Sequence, residues 1–271
     1  MKVIKDQLLA TTYRDSHGEK RTLSELEGLF AQMPPEHEIN QDHDRSKPTV
    51  GRMFNIRLVE LEDGEHAIAA DIEVFDEEAF VDGGGFSIGY ASSRYTINPE
   101  ELGDVGVIFN PRHFSRQEME PLAHLSDDAF QVDIVEVKEK TGEEVLKLLL
   151  DFLTETAAAY FLTKAGEGVC RKLKSKLIEI IGRKRSEGKN VAVNLRFRVE
   201  VGGDETKVIV KVPHLQENSF EEDEVNLETV KTYIEERLGG QAKRVVLTPL
   251  SEPPYWQILH FVDTNGRSVE L

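Results

Sequence analysis

The sequence predicts an α+β protein in two units: an N-terminal, mostly antiparallel β-barrel and a separate C-terminal α+β domain. Three observations carry this reading. Up to Phe109, short apolar runs are broken by turn residues and helical periodicity is scarce, as in small barrels and sandwiches. Val191, Val193, Leu195, Phe197, Val199 and Val201 alternate strictly, then Gly202-Gly203-Asp204-Glu205 turns the chain into Val208, Val210 and Val212, a hairpin signature. On both sides of that hairpin, apolar residues recur at helical spacing. A length of 271 residues favours two domains. The charged stretch 138–142 is the natural divide, giving domains 1–138 and 143–271.

Taken in order, residues 3–12 read as a strand and Asp15-Ser16-His17-Gly18 as a turn. Thr22-Leu23-Ser24-Glu25 has the form of a capping box, opening a helix with Leu23, Leu26, Leu29 and Phe30 on one face. Met33-Pro34-Pro35 closes it, because proline has no N–H and restricts the residue before it. Pro48 and Gly51 turn the chain into a strand over 52–61. Glu62-Asp63-Gly64-Glu65 reverses it, and 66–75 returns as its partner. A short helix is expected over 76–80, then strands around Ser87 and through Tyr95, and another over 103–109 closed by Asn110-Pro111. Residues 131–137 alternate as a strand.

Beyond the divide, Val145, Leu148, Leu149, Phe152 and Tyr160 fall on one helical face, so 145–162 is expected to be a helix. Val169, Leu173, Leu177, Ile180 and Ile181 mark a second helix, and 227–238 a third, stopped by Gly239-Gly240. Strands at 245–247 and 255–262 and an Asn265-Gly266 turn follow.

Composition narrows the function classes. The net charge is −17, so phosphate backbones and anionic lipid are repelled and nucleic acid is not the default partner. The single cysteine, Cys170, rules out an intrachain disulfide and any multi-cysteine metal site, which suits a reducing compartment. The first residues lack the apolar core of a signal peptide, and the apolar stretch 145–162 carries Lys147, Asp151 and Glu155. The expectation is a cytoplasmic protein with no membrane contact and no cofactor.

Two short stretches carry chemistry. The first is Asn40-Gln41-Asp42-His43-Asp44-Arg45-Ser46-Lys47-Pro48-Thr49-Val50-Gly51-Arg52; the second is Gly83-Gly84-Gly85-Phe86-Ser87-Ile88-Gly89-Tyr90. On residue types alone, a serine beside glycines is turn chemistry and a histidine between two aspartates is a solvated loop. A histidine and a serine on different strands of one β domain are also the parts of a general base and nucleophile pair. Together, "HDRSKPTVGRM" and "GGGFSIGY", 44 residues apart from His43 to Ser87, resemble the capsid maturation (prohead) proteases of tailed phages, which share the fold of the herpesvirus assemblins. The resemblance runs from Leu9 to about Ser115 and leaves the C-terminal half unmatched.

That resemblance implies a serine endopeptidase with Ser87 as nucleophile and His43 as base. Its substrates would be scaffold- or capsid-like proteins, itself included, and it allows a homo-oligomer. The third member, in the phage branch an acid, falls on Asp104 of Asp104-Val105-Gly106-Val107-Ile108, with Glu101, Asp42 and Asp44 as alternatives. Gly106 stands where the family pattern has a small hydroxyl residue. Gly83, Gly84 and Gly85 offer backbone N–H groups for an oxyanion, and Arg112 offers positive charge at the rim.

Other readings stand beside this one. His37, His43 and His66 are the imidazoles from which a metal site would be drawn, although no His-x-x-x-His spacing supports one. The run Arg171, Lys172, Lys174, Lys176, Arg183, Lys184 and Arg185 reads as the wet face of a helix, or as a contact for nucleic acid or for Glu221-Glu222-Asp223-Glu224 of another copy. The protease fold retained in a non-enzymatic interaction or phage-sensing protein is the alternative function.

Overall fold

In the computed structural model the described residues are 2–14, 20–40, 46–75, 103–127, 130–136, 145–162, 168–212, 215, 226–252 and 255–271. They fall into two units. The first comprises residues 1–93 and 265–268, the second residues 94–264 and 269–271.

The first unit is built on the strand β4 (His66–Val74), whose even positions Ile68, Ala70, Ile72 and Val74 are all buried. An antiparallel sheet of order β1-β4-β3-β2 forms around it, with β1 (Lys2–Thr11), β2 (His37–Asn40) and β3 (Thr49–Glu60). Helix α1 (Leu23–Ala31) lays Leu26 and Leu29 against Ile68. Its capping box is as the sequence reads: the Thr22 hydroxyl accepts the Glu25 N–H at 3.3 Å and the Glu25 carboxylate accepts the Thr22 N–H at 2.7 Å.

The odd positions of β4 put charge on the other face. Asp71 accepts hydrogen bonds from the Asn55 amide at 2.9 Å and the Asp6 N–H at 3.1 Å, with Arg57 beside it. These donors hold its carboxyl below the usual aspartate range, the Asn55 amide foremost. Asp6 and Asn55 have φ of 57° and 51°, and each sits at a register shift, one in β1 and one in β3. One carboxylate thus fastens a bulge on each neighbouring strand. Glu73, two residues on, pairs with Arg52 at 2.6 Å.

The second unit is an eight-stranded mixed sheet of order β12-β11-β10-β9-β8-β7-β5-β6. Three parallel pairs are each joined through helices. They are β5 (Val105–Phe109), α2 (Arg116–Ala123) and β6 (Val132–Glu136); β7 (Val145–Phe152), α3 (Glu155–Leu162), α4 (Val169–Ser186) and β8 (Asn190–Val201); and β9 (Asp204–Val212), α5 (Leu227–Leu238) and β10 (Ala242–Pro249). Antiparallel pairing joins β5 to β7, β8 to β9, and β10 to β11 (Trp256–Asp263); β12 (Ser268–Glu270) is the edge strand.

All four helices share one apolar cluster with Val107, Leu148, Leu150, Val193, Leu195, Val210 and Val245, so they cover a single face of the sheet. The opposite face holds Asp133, Asp151, Arg196 and Lys211, with Arg196 making a forked ion pair to Asp151. Gly202 and Gly203, at φ of 62° and 89°, form the two-residue turn that closes the β8–β9 hairpin.

Three expectations are corrected. The chain over 145–162 is a strand followed by a helix. Leu149, on the face that also carries Lys147 and Asp151, interrupts the apolar-polar alternation of the strand, so the run fits helical spacing over a short window. The units part between Ser93 and Arg94, well before 138–142. β5 and β6 belong to the second sheet because β5 pairs with β7 along its whole length, from Val105↔Phe152 to Phe109↔Leu148. Finally, the described strands of the first unit form an open four-stranded sheet, and no closed barrel is present among the described residues. The structure also adds α2, announced by a capping box at Ser115 and Glu118, and the short strand β2. The helix expected over 76–80 lies outside the described residues.

Candidate functional site at one end of the first sheet

His43, Ser87, Gly83, Gly84, Gly85, Glu101, Asp42 and Asp44 lie outside the described residues. The described residues from which the two motif-bearing segments leave lie at one end of the first unit's sheet. The His43 segment leaves β2 at Asn40 and re-enters β3 at Thr49; these two residues are opposed in the antiparallel pair. The Ser87 segment departs after β4. Gly51 of β3 is opposed to Val74 there, and the Phe75 N–H donates to the Val50 carbonyl at 2.9 Å.

Polar side chains fasten this end. Asn40, only 8% exposed, donates from its amide to the Thr49 hydroxyl at 3.3 Å and to the Lys47 carbonyl at 3.4 Å. Ser46 and Thr49 are buried as well. A buried amide stays where its partners are, because leaving it unsatisfied costs about 1–3 kcal/mol. The strand between them is packed closely too: a Cβ on Gly51 would meet the Glu73 carbonyl oxygen at 2.6 Å.

Residues from far along the chain complete the arrangement. The Thr49 N–H donates to the Ser268 hydroxyl at 2.8 Å, and the Arg267 guanidinium lies over the Phe75 ring at 5.9 Å. The sequence carries no signal for this pairing, since Asn265-Gly266 reads there as an ordinary turn and the residues after it carry no motif. Asn40 was legible only as the first residue of the motif.

Of the remaining expected site residues, Asp104, Arg112, His37 and His66 are among those described. Asp104 precedes β5 in the second unit; its carboxylate accepts the Gln131 N–H at 2.9 Å and its carbonyl accepts the Leu153 N–H at 3.1 Å. It ties the start of β5 to the segment entering β6. Arg112 is an exposed residue of the turn after β5, with its N–H donating to the Asn110 side chain at 3.0 Å. His37 lies opposite Met53, which lies opposite Ile72, whereas His66 begins β4. Six residues of strand, roughly 20 Å, separate those two rows, so His37 and His66 do not share a metal ion. Among the described residues there is no group of three or more metal-ligating side chains.

Cys170, the one thiol, is buried in the core at the start of α4. Burial pushes its thiol up to about 11, with Asp104 and Asp127 adding to the effect and Lys174 opposing it. A group whose proton is held to about 11 when folded and released near 9.0 when unfolded disfavours the folded state as pH rises through that window. We expect no reaction with a thiol-specific disulfide reagent at pH 8 in the native protein, and full reaction in denaturant. Rapid native labelling would show that the α4 start opens.

No helix among the described residues is long and apolar enough to cross a membrane. No family model, no curated protein and no solved structure matches the chain.

Proposed function

We propose that the chain is a serine endopeptidase of the prohead-protease kind, with an assemblin-like site in which Ser87 is the nucleophile and His43 the base. The observation that supports it is that both motif-bearing segments leave from the same end of one sheet, where β3 is the shared neighbour of β2 and β4. His43 is three residues from Asn40 and three from Ser46, so no more than about 10 Å of backbone separates it from either.

A serine hydroxyl attacks a peptide carbonyl only when a base takes its proton. Neutral imidazole does so near pH 7, then returns that proton to the leaving amine. The acyl-enzyme formed at Ser87 is released by water, with His43 again accepting a proton. Backbone N–H groups in the run Gly83-Gly84-Gly85 would receive the oxyanion. Asp104 is carried as the third member by the family resemblance alone. Substrates would be protein segments of the scaffold or capsid kind, including copies of the chain itself, in the cytoplasm of a host cell.

The deciding experiment is covalent labelling with a serine-directed fluorophosphonate. Wild-type protein should be labelled at one site, and Ser87→Ala should not be. A folded wild type that takes no label, or a label that survives Ser87→Ala, would reject the reading; the first result would favour a binding protein that uses the same segments.

A further inference from the structure

In a chain of net charge −17, residues 169–189 carry eight basic and two acidic side chains, a local net of +6. The helix α4 occupies most of this stretch and buries Leu173, Leu177, Ile180 and Ile181, which fixes the direction of its opposite face. Part of the basic charge is committed to that packing. Lys184 pairs with Glu118 at 2.8 Å and lies over the Phe114 ring, and Lys176 pairs with Glu179.

Arg171, Lys172 and Arg183 are exposed on the outer side, and neither Arg171 nor Lys172 has an acidic partner among the described residues. Helix stability does not explain Arg171 and Lys172. They stand in the first turn, which has no acidic residue and no side-chain cap, where the macrodipole disfavours cations. Arg183 stands in the last turn, where it is favoured. Two cations kept against the local rule point to something they meet.

We infer that the outer face of α4 docks the acidic run Glu221-Glu222-Asp223-Glu224 of a second copy of this chain. The lengths are compatible: a run of four residues reaches at most about 14 Å, within the about 18 Å of helix axis from Arg171 to Arg183. The run lies outside the described residues, and it is the densest block of one charge sign in the sequence. A single helix is about 10 Å wide, which suits a narrow acidic peptide. A nucleic acid duplex is a broad polyanion carrying one charge per about 1.7 Å, and it would meet the net −23 borne by the rest of the chain.

Sedimentation velocity of the full chain tests this. Wild type should associate at low ionic strength and dissociate near 1 M salt, where the screening length falls to about 3 Å. Arg171→Glu/Lys172→Glu and Glu221→Lys/Glu222→Lys should each weaken self-association at least ~10-fold. An equimolar mixture of the two variants should restore it, because each supplies the charge that the other's face or run now requires. The second variant leaves α4 untouched, so misfolding of the first would not protect the idea. A wild type that stays monomeric at low salt, or variants that associate as wild type does, would overturn it. So would a mixture that stays monomeric. Tight binding of a fluorescent oligonucleotide lost in Arg171→Glu/Lys172→Glu, without change in mass, would reassign the face to nucleic acid.

Discussion

Replacing His43 by alanine should lower peptide-bond hydrolysis by three orders of magnitude or more while leaving the melting temperature nearly unchanged. The base and the nucleophile act as one unit, so losing either removes most of the chemical acceleration and leaves only binding and the oxyanion donors. In the wild type, activity needs neutral imidazole and should therefore rise with pH along an acidic limb. If Asp104 orients that imidazole, its charge favours the imidazolium. Asp104→Asn should then move the limb to lower pH and reduce the plateau by orders of magnitude.

The structure sharpens this second test. Asparagine keeps an oxygen that accepts the Gln131 N–H now bound by Asp104, so the joint between β5 and β6 survives the substitution. A fall in rate with an unmoved melting temperature isolates the lost charge. A fall in both assigns Asp104 to structure. The same substitution at Asp42, Asp44 and Glu101 (to glutamine there) provides the comparison. Should one of those abolish activity while Asp104→Asn does not, the third member lies at that position; should none matter, a Ser–His dyad remains, with His37 next to replace.

Trp256→Ala should destabilise the second unit by about 3–5 kcal/mol, a large part of the total of about 5–15 kcal/mol typical of a folded domain. Trp256 is fully buried on β11 within the cluster that α5 joins, and its indole N–H donates to the Thr229 hydroxyl at 3.2 Å. Thr229 also accepts the Asn226 N–H in the cap that opens α5, so the substitution opens a cavity and loosens a helix start together. Urea unfolding followed by far-ultraviolet circular dichroism is the measurement, because Trp256 is the one tryptophan in the sequence and its fluorescence disappears with it. Trp256→Phe should cost less than half as much. A loss under about 1 kcal/mol for the alanine variant would mean the core closes over the gap.

What could be read from the sequence follows the range over which its signals act. The capping box at Thr22, the apolar stripe of α4 and the β8–β9 hairpin with its glycine turn are local, and each is where periodicity and turn chemistry put it. β7 reads as a helix because Leu149, on the face opposite the buried Leu146, Leu148 and Leu150, is apolar too and blurs the alternation that identifies a half-buried strand. The divide between units was misplaced for a related reason. Nothing local in Val105-Gly106-Val107-Ile108-Phe109 says that its partner is a strand some 40 residues later rather than one of the strands before it.

At the candidate site the motif residues are visible in the sequence as chemistry. The buried polar stem of Asn40 and Thr49 is not, since an asparagine in a polar stretch shows no burial of its own. The pairing of bulges across Asp71 is equally hidden, because an aspartate in a strand announces nothing until its neighbours are known.

The bond from Thr49 to Ser268 spans 219 positions of chain. A polypeptide is made from its N-terminus, so the strands that frame both motif segments exist long before the residues that brace them. Closing so long a loop is entropically costly and slow compared with pairing adjacent strands. The unit begun first is thus still incomplete when nearly all of the second has been made. A chain still on the ribosome, short of Ser268, would carry both motif segments on an unbraced frame.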